Sequence, residues 1–481
     1  MQLLLGACIC LSAFYINLPV SVFYFAIICL AVHFFRECSD KLAWFKERKV
    51  IFAVSGAFAL FAVASLVWCE DFSNCLRPTV KLAAYVIVVA AFIKWLTFFG
   101  TRNEYGDSLR RDTTIFICLF AVVLAFIAMD AMLKFRIIKS IYQFDVLKTL
   151  GINVALYRTY YRWSFAAAVL TCPIAVICCI RRKFIIAGII CLISFWSLSH
   201  VENDSGVLGL IASMFIFAMS YLRFSFTSKL FKTGLLVLSI LPIFYNSVVD
   251  PRKLYESFPL LRSSTSWFHR IIILGSHAEM ISRHPFLGTG IGSARQSRLH
   301  PAEKYSKDWL RLARGKVSLY EYSNMQFVKA ILSSAVPNPR GQRACFISPL
   351  TGQLVFQHHL TRVTGMRCSQ LWSTLDDEEI ANFFRIPVQP HNIIFDIWAS
   401  LGIIGVMFYL IVNFWIIDRI GKIKHRAFRA GCLGSLSAAT AVSLVNYSFV
   451  NSWWMYSFPV LGGIIYLMSR EADAQVAKEN L

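Results

Sequence analysis

Long apolar runs alternate with short polar loops along most of this 481-residue chain. Many of the runs hold about 17 to 25 residues, enough to cross a hydrocarbon core of roughly 30 Å as a helix. Since they lack the strict alternation of polar and apolar residues found in membrane barrels, the pattern predicts helices. About twelve spans are predicted by this criterion, at residues 2–15, 19–35, 50–68, 79–100, 113–132, 163–180, 184–200, 206–222, 233–248, 392–417, 431–449 and 455–469.

Composition supports the same class of protein. Hydrophobic residues make up 57% of the chain and its mean hydropathy is +0.58, whereas ordinary globular proteins are about 45–50% apolar. We therefore predict an all-α fold, a polytopic membrane protein with a large, partly helical outer domain between the ninth and tenth spans.

Lysine and arginine concentrate in alternate loops, which predicts the orientation of the chain. Under the positive-inside rule the basic loops are cytoplasmic, at residues 36–49, 102–111, 181–183, 223–232 and 419–429. The loops at residues 69–78, 201–206 and 451–456 carry few basic residues and are predicted to face outward. The basic segment 134–162 is the exception, because the same alternation puts it outside.

Four regions follow from this topology. They are an N-terminal membrane bundle (1–248), an outer loop domain (249–390), C-terminal spans (391–469) and a cytoplasmic tail (470–481). Basic residues outnumber acidic ones in the outer domain, which favours an anionic ligand. Attraction to anionic lipid headgroups is the alternative explanation.

Most of the 14 cysteines fall inside predicted spans, as expected of small buried apolar residues. Cys69 with Cys75, and Cys345 with Cys368, lie on the predicted outer side and are candidates for disulfides. Their geometry has to decide between disulfides and free thiols. No matched pairs of Cys or His have zinc-ligand spacing outside the predicted spans, so no metal site is predicted.

The stretch QPHNIIFDIWASLGIIG, residues 389–405, brings two polar side chains to the edge of an apolar run. If the helix begins at His391, then Gly402 and Gly405 lie within about 40° of it on one face. Small residues allow a neighbouring helix to approach closely. His391 can exchange a proton near neutral pH, and Asn392 can orient it or bind a substrate hydroxyl. Alternatively, Asn392 is a helix cap.

A second motif, PFLGTGIG, follows a predicted surface helix that carries Arg270. Its glycines suit a backbone that approaches a ligand or a helix closely; the alternative is a re-entrant turn. The motif residues are Pro285, Gly288, Gly290 and Gly292.

Arg270, the glycine motif, a long outer loop and then H-N-x9-G-x-x-G together resemble the bacterial O-antigen ligase and O-antigen polymerase superfamily. The resemblance implies a metal-independent inner-membrane glycosyltransferase without a cofactor, whose active site faces the periplasm. Such ligases transfer a glycan from undecaprenyl diphosphate to the lipid A core. The related polymerases transfer it to the next repeat unit, and oligosaccharyltransferases to a protein hydroxyl. No nucleic acid partner is implied.

Residue roles follow by position. The resemblance implies that Arg270 holds the donor diphosphate and that His391 activates or positions the acceptor hydroxyl. Other candidates for substrate binding are Asn392, the basic residues of segment 134–162 and the arginines beside the glycine motif, namely Arg136, Arg158, Arg162, Arg283 and Arg295.

Two alternatives remain open from sequence. Ligases of this family commonly have an arginine in the region that is Ser197–Leu210 here, which contains none, so a polymerase stays possible. A lipid-linked oligosaccharide flippase would also be polytopic, but such transporters usually show internal repeats and midplane charges. The clearest intramembrane acids, Asp130 and Asp396, lie near predicted span ends, where snorkelling or helix-end placement is expected.

Overall fold

The computed structural model describes residues 49–69, 72–99, 106–133, 156–201, 204–249, 274–275, 277–291, 345–347, 353–356, 362–367, 392–446 and 452–479. Within these ranges the long helices are α1 (Lys49–Ala64), α2 (Phe72–Phe99), α3 (Gly106–Met132), α4 (Leu156–Ile180), α5 (Phe184–His200), α6 (Asp204–Val248), α7 (Ile393–Gly421), α8 (Arg426–Asn446) and α9 (Ser452–Glu479). A 3₁₀ turn at Ser65–Val67 follows α1, and residues 277–283 are also helical.

Five helical segments among the described residues are long and apolar enough to cross a membrane. They are Thr113–Met132, Trp163–Ile180, Asp204–Tyr245, Ile393–Gly421 and Arg426–Val445. Helical segments at Ala53–Val67 and Phe184–His200 are apolar but shorter. The prediction of a helical membrane protein is therefore confirmed, but the number of twelve spans is not. The first two predicted spans, 2–15 and 19–35, lie outside the described residues.

Two predicted span ends can be compared with the helices. The predicted spans 206–222 and 233–248 lie on either side of a kink in α6 at Arg223 (φ −142°, ψ 74°), where two helical segments meet. The intervening RFSFTSKLFK contains neither glycine nor proline, so helical pairing continues on both sides of one distorted residue. At the other end of the chain, α9 runs to Glu479, because the predicted tail consists largely of strong helix formers such as Ala, Glu and Lys.

The main core is built around α4. In its apolar stretch, Trp163–Ile180, 83% of the residues are buried. Side chains from α3, α5, α6, α7, α8 and α9 belong to the same cluster. Helices α6 and α8 approach closely where small residues meet: a Cβ added to Gly434 would lie 2.7 Å from the carbonyl oxygen of Ser213. Small residues at helix contacts are the usual means of close packing between membrane helices.

One antiparallel sheet is the exception to the predicted all-α class. Its strands, in spatial order, are β1 (Cys345–Ile347), β2 (Gln353–Phe356) and β3 (Arg362–Arg367). Phe346 pairs with Val355, and the register shifts between Gln353 and Val355. The sheet falls within the predicted outer domain, 249–390. Its strands contain several β-branched and aromatic residues, which favour extended backbone.

The two intramembrane acids are buried instead of snorkelling. Asp130 is fully buried near the end of α3, and Asp396 is 4% exposed in the first turn of α7. The placement near helix ends is confirmed, whereas snorkelling to solvent is wrong for both. A carboxylate in the first helical turn is favoured by the helix dipole, which applies to Asp396.

Candidate active site at the break in helix α7

Helix α7 is interrupted at Gly402, whose backbone angles are φ +63° and ψ −160°. The break divides α7 into an upper half, residues 393–401, and a lower half, residues 403–421. A break of this kind removes helical partners from the carbonyls before it and from the amides after it. In a membrane protein those groups need replacement partners within the protein.

The residues Pro285–Gly290, which we call the glycine loop, supply the replacement partners. Two carbonyls of the upper half accept hydrogen bonds from loop amides: Thr289 N donates to Ala399 O (2.8 Å) and Gly290 N to Ser400 O (3.0 Å). The first amide of the lower half donates to the loop, from Ile403 N to Pro285 O (2.9 Å). The Thr289 hydroxyl also donates to Ala399 O at 3.0 Å. The two motifs singled out in the sequence thus meet backbone to backbone.

This contact depends on glycine at three positions. Gly288, Gly290 and Gly402 all have positive φ, at 67°, 94° and 63°. A Cβ on Gly288 would lie 2.5 Å from the carbonyl carbon of Ser400, and one on Gly402 would overlap the carbonyl oxygen of Phe286. Both the backbone conformation and the space therefore exclude a side chain at Gly288 and Gly402.

The close contact expected of Gly402 is with the glycine loop and not with a long neighbouring helix. Gly402 approaches the glycine loop, and a Cβ on Gly405 would meet side chains of its own helix, Leu401 at 2.5 Å and Ile397 at 3.0 Å. A shared face for His391, Gly402 and Gly405 requires an unbroken helix, and the break at Gly402 ends the regular 100° progression.

Two tryptophans donate hydrogen bonds to the glycine loop. The indole Nε1 of Trp398 donates to Pro285 O at 3.1 Å, and that of Trp68 donates to Leu287 O at 3.2 Å. Sequence reasoning missed both residues. The available signal was weak: one tryptophan precedes a cysteine of the outer loop, and the other lies four residues before Gly402.

A disulfide between Cys69 and Cys75 lies against the same loop. Its Cα–Cα separation is 6.7 Å, at the upper end of the usual range. A Cβ on Gly290 would lie 2.8 Å from that of Cys69, so the connection between α1 and α2 packs on the glycine loop. Both segments were predicted to face outward. In the second candidate pair, Cys345 begins β1, whereas Cys368 lies outside the described residues.

Asn392 caps α7. Its side-chain oxygen accepts from the backbone amides of Ile394 (3.0 Å) and Phe395 (3.2 Å), and its Nδ2 donates to Leu444 O of α8 at 2.9 Å. This is the capping alternative. The side-chain oxygen already accepts two hydrogen bonds, so binding of a substrate hydroxyl would fall to the amide nitrogen.

The helical residues 277–283 lie against the upper half of α7. Ala278 and Ile281 pack in one cluster with Phe395 and Trp398. At the end of this segment Arg283 pairs with Glu279 at 2.9 Å, and its side chain is 45% exposed. The segment therefore presents a partly solvated guanidinium two residues before the glycine loop.

Comparisons with known proteins agree with the motifs. No family model matches the chain. A protein of Rickettsia felis named "Putative polysaccharide ligase" is 23% identical over 288 residues, covering 53% of this chain and 64% of that protein. A Rickettsia prowazekii protein of the same description is 23% identical and covers 55% of this chain and 67% of its own length. A Rickettsia typhi protein is 28% identical over 97 residues, which is 24% of its length. The chain thus spans less than two thirds of the R. felis and R. typhi proteins.

The predicted resemblance to an O-antigen ligase-like family is confirmed. The similarity extends over about half of the chain at low identity.

The predicted site residues divide into three groups. The structure brings one group to α7 and its surroundings, namely Arg283, Pro285, Gly288, Gly290, Asn392, Gly402 and Gly405. Arg158 and Arg162 lie in the first turns of α4. The remaining predicted residues lie outside the described ranges: Arg136, Arg270, Gly292, Arg295 and His391. In the sequence, His391 directly precedes the helix cap Asn392.

Proposed function

We propose that this protein is an inner-membrane glycosyltransferase that transfers a glycan from undecaprenyl diphosphate to the lipid A core on the periplasmic side. The observation that carries the proposal is the contact between the two sequence motifs, PFLGTGIG and the H-N-x9-G-x-x-G stretch. The glycine loop seals the break in α7, whose upper half begins at the cap that follows His391. The relatives named as polysaccharide ligases support the same reaction class.

The depth of α7 in the bilayer supports a reaction at the membrane surface. Near its cytoplasmic end, the guanidinium of Arg419 lies 5.2 Å from the ring of Trp415, a pairing typical of a membrane interface. Counting about 20 residues back from these two positions gives an outer hydrocarbon edge between residues 395 and 399. Asn392 then stands about 5–10 Å above that edge, at headgroup level. A lipid carrier holds its diphosphate at the same level.

Arginines supply the charge that this donor requires. In the proposed site Arg270 holds the diphosphate, with Arg295 and the basic residues Arg136, Arg158 and Arg162 as a second wall. Arg283 can contribute because its pairing with Glu279 is exposed, and exposed ion pairs are worth only about 0–1 kcal/mol. Exchanging the carboxylate for a diphosphate oxygen is therefore inexpensive. Charged hydrogen bonds to the diphosphate strengthen as the leaving group gains charge.

His391 is the proposed general base. The acceptor hydroxyl oxygen attacks the anomeric carbon of the donor sugar while the bond from that carbon to the diphosphate oxygen breaks. The hydroxyl proton passes to His391 and the electron pair leaves with undecaprenyl diphosphate. A positioned base of this kind contributes about 10²- to 10⁴-fold to the rate. The Asn392 cap fixes the start of α7 and hence the backbone position beside His391.

The glycan pattern of a strain from which the gene is deleted tests the proposal. The strain is complemented with wild type, His391→Ala, Arg270→Ala or Arg111→Ala, each checked for equal amounts in the membrane. Arg111 is an exposed arginine at the predicted cytoplasmic end of α3 and serves as the control for loss of one positive charge. Lipopolysaccharide banding and lipid-linked glycan are measured in parallel.

A ligase predicts that His391→Ala and Arg270→Ala lose the polymer-bearing bands and accumulate long glycans on undecaprenyl diphosphate. Wild type and Arg111→Ala should restore the bands. Core carrying a single repeat unit would instead identify a polymerase, and loss of glycan from a protein would identify an oligosaccharyltransferase. Full banding from both site variants, in a strain that requires the gene, would contradict the assigned residues.

A further inference from the structure

The tip of the glycine loop exposes two apolar side chains. Phe286 is 71% exposed and Leu287 is 43% exposed, although neighbouring Gly288, Thr289 and Gly290 are buried. Apolar side chains at the tip of an otherwise enclosed loop usually mark a contact with another apolar surface.

The loop cannot turn these side chains inward, because its backbone is fixed on both sides of them. Pro285 O accepts from Trp398 and from the amide of Ile403. Leu287 O accepts from Trp68. With both carbonyls held, the loop backbone keeps Phe286 and Leu287 at its tip.

The tip is continuous with the outward face of α7. Ile403 and Ile404, directly after the break, are 36% and 41% exposed, and Met407 and Ile411 continue the exposed face further down the helix. Val67, next to Trp68, is 87% exposed. We call the residues Val67, Phe286, Leu287, Ile403 and Ile404 the loop-tip patch. Residues 403, 407 and 411 follow the four-residue spacing of one helix face.

We propose that the loop-tip patch is inserted into the acyl chains of the outer leaflet, so that the glycine loop is re-entrant. Two observations select the bilayer as the partner. The patch runs without interruption into the exposed apolar face of a helix long enough to span a membrane. By the residue count used above, Gly402 lies about 5–10 Å below the outer hydrocarbon edge.

Polar residues mark the upper limit of insertion. Ser282, Arg283 and His284 are exposed and precede the tip by two to four residues. Charged and polar side chains belong at headgroup level, where they meet water and phosphate. The polarity of the segment therefore changes between His284 and Phe286. Pro285, between them, contacts Trp398, which lies within the range 395–399 where the depth estimate puts the edge of the hydrocarbon. The inference depends on α7 crossing the membrane and not on glycan transfer.

The test measures contact with lipid chains directly. A fluorescent noncanonical amino acid is introduced singly at position 286, 287, 407 or 282 of the full-length chain, which leaves the native cysteines untouched. Each protein is placed in nanodiscs of phosphatidylcholine with or without brominated acyl chains, and bromine quenching is recorded. Position 407, on the exposed apolar face of α7, is the reference for contact with lipid, and position 282 is the reference for contact with water.

Insertion predicts a loss of fluorescence at position 286 comparable to that at 407, and little loss at 282. Each variant must elute from size-exclusion chromatography as wild type does. Position 287 gives the same test if the label at 286 prevents folding. The proposal would be overturned if the extent of quenching at position 286 or 287 were nearer to the value measured at position 282 than to the value measured at position 407.

Discussion

The two halves of α7 have similar apolar sequences and different surroundings. In the upper half, every residue from 393 to 401 is buried, including Asp396. In the lower half, Ile403, Ile404, Met407 and Ile411 are exposed. Hydropathy does not separate these cases, because burial in protein and contact with lipid select the same residue types. The break at Gly402 is the boundary between them, and it allows one helix to serve both a protein-enclosed site and a membrane span.

The halves also differ in what holds them. The upper half is anchored by the glycine loop, by the segment 277–283 and by the Asn392 cap. The lower half buries Ile417 and Ile420 in the main core. Disturbing the junction should therefore loosen the upper half and reduce glycan transfer while the membrane bundle persists.

Substitution of Gly402 is expected to have the largest effect on this junction. In Gly402→Ala the backbone angles, φ +63° and ψ −160°, lie in a region that is essentially restricted to glycine and costs about 1–3 kcal/mol. Overlap with the Phe286 carbonyl adds about 1–3 kcal/mol. The thermal transition of the purified protein should fall by several degrees, and glycan transfer should be lost.

The matched control for this substitution is Gly462→Ala in α9. A Cβ there would meet no atom within 4 Å, so stability should stay the same or rise by up to about 1 kcal/mol. Equal tolerance of the two alanines would contradict the assigned role of the break.

Removal of the disulfide by Cys69→Ser with Cys75→Ser should come next. Cross-linking a loop this short contributes about 2–3 kcal/mol by the chain-entropy estimate, and Cys69 directly supports Gly290. We expect a lower thermal transition and weaker glycan transfer. Cys118→Ser, at an exposed free cysteine of α3, should change stability by less than about 0.5 kcal/mol. An unchanged transfer rate in the double variant would show that the disulfide does not support the loop.

The two tryptophans should differ in importance. Trp398→Phe keeps a ring but loses the bond to Pro285 O, which costs about 1 kcal/mol together with some buried area. Trp68→Phe removes a more exposed bond, so its effect on the thermal transition should be smaller. A larger fall in the thermal transition for Trp68→Phe than for Trp398→Phe would mean that the loop is held mainly by the connection after α1 and not by α7.

Substitutions of Asn392 should have the smallest effect on stability and distinguish its two roles. Loss of the cap in Asn392→Ala costs about 1 kcal/mol. Asn392→Asp retains a capping oxygen but loses the Nδ2 bond to Leu444 O, so it should recover only part of the stability. If Asn392 only caps α7, Asp also restores glycan transfer. If its amide nitrogen binds substrate, Asp restores part of the stability but not transfer.

Local signals made part of the site predictable. Alternate glycines in PFLGTGIG indicated close backbone approach, and the apolar run after Asn392 indicated a capped helix. The partner of each motif was not predictable, because the bonds joining Trp398 to Pro285 and Trp68 to Leu287 span 113 and 219 residues. A single sequence carries no signal for pairings at that separation.

The errors in the fold have physical causes as well. The periodicity of α7 was extrapolated through Gly402, although glycine readily adopts the left-handed angles that end a helix. In α6 the basic residues around Arg223 predict a loop, and the structure has there a kink at a single non-helical residue that joins two helical segments. Helical membrane character was predictable because apolar length alone requires it.

A transfer assay with purified components tests the central claim most directly. Wild type and His391→Ala are placed in proteoliposomes with an undecaprenyl-diphosphate-linked glycan and lipid A core, and the glycan joined to the core is measured over time. The account predicts transfer by wild type and a loss of about 10²-fold or more in His391→Ala, with the same thermal transition for both proteins. Equal rates would contradict the assignment of the catalytic base, and no transfer by folded wild type would contradict the proposed reaction.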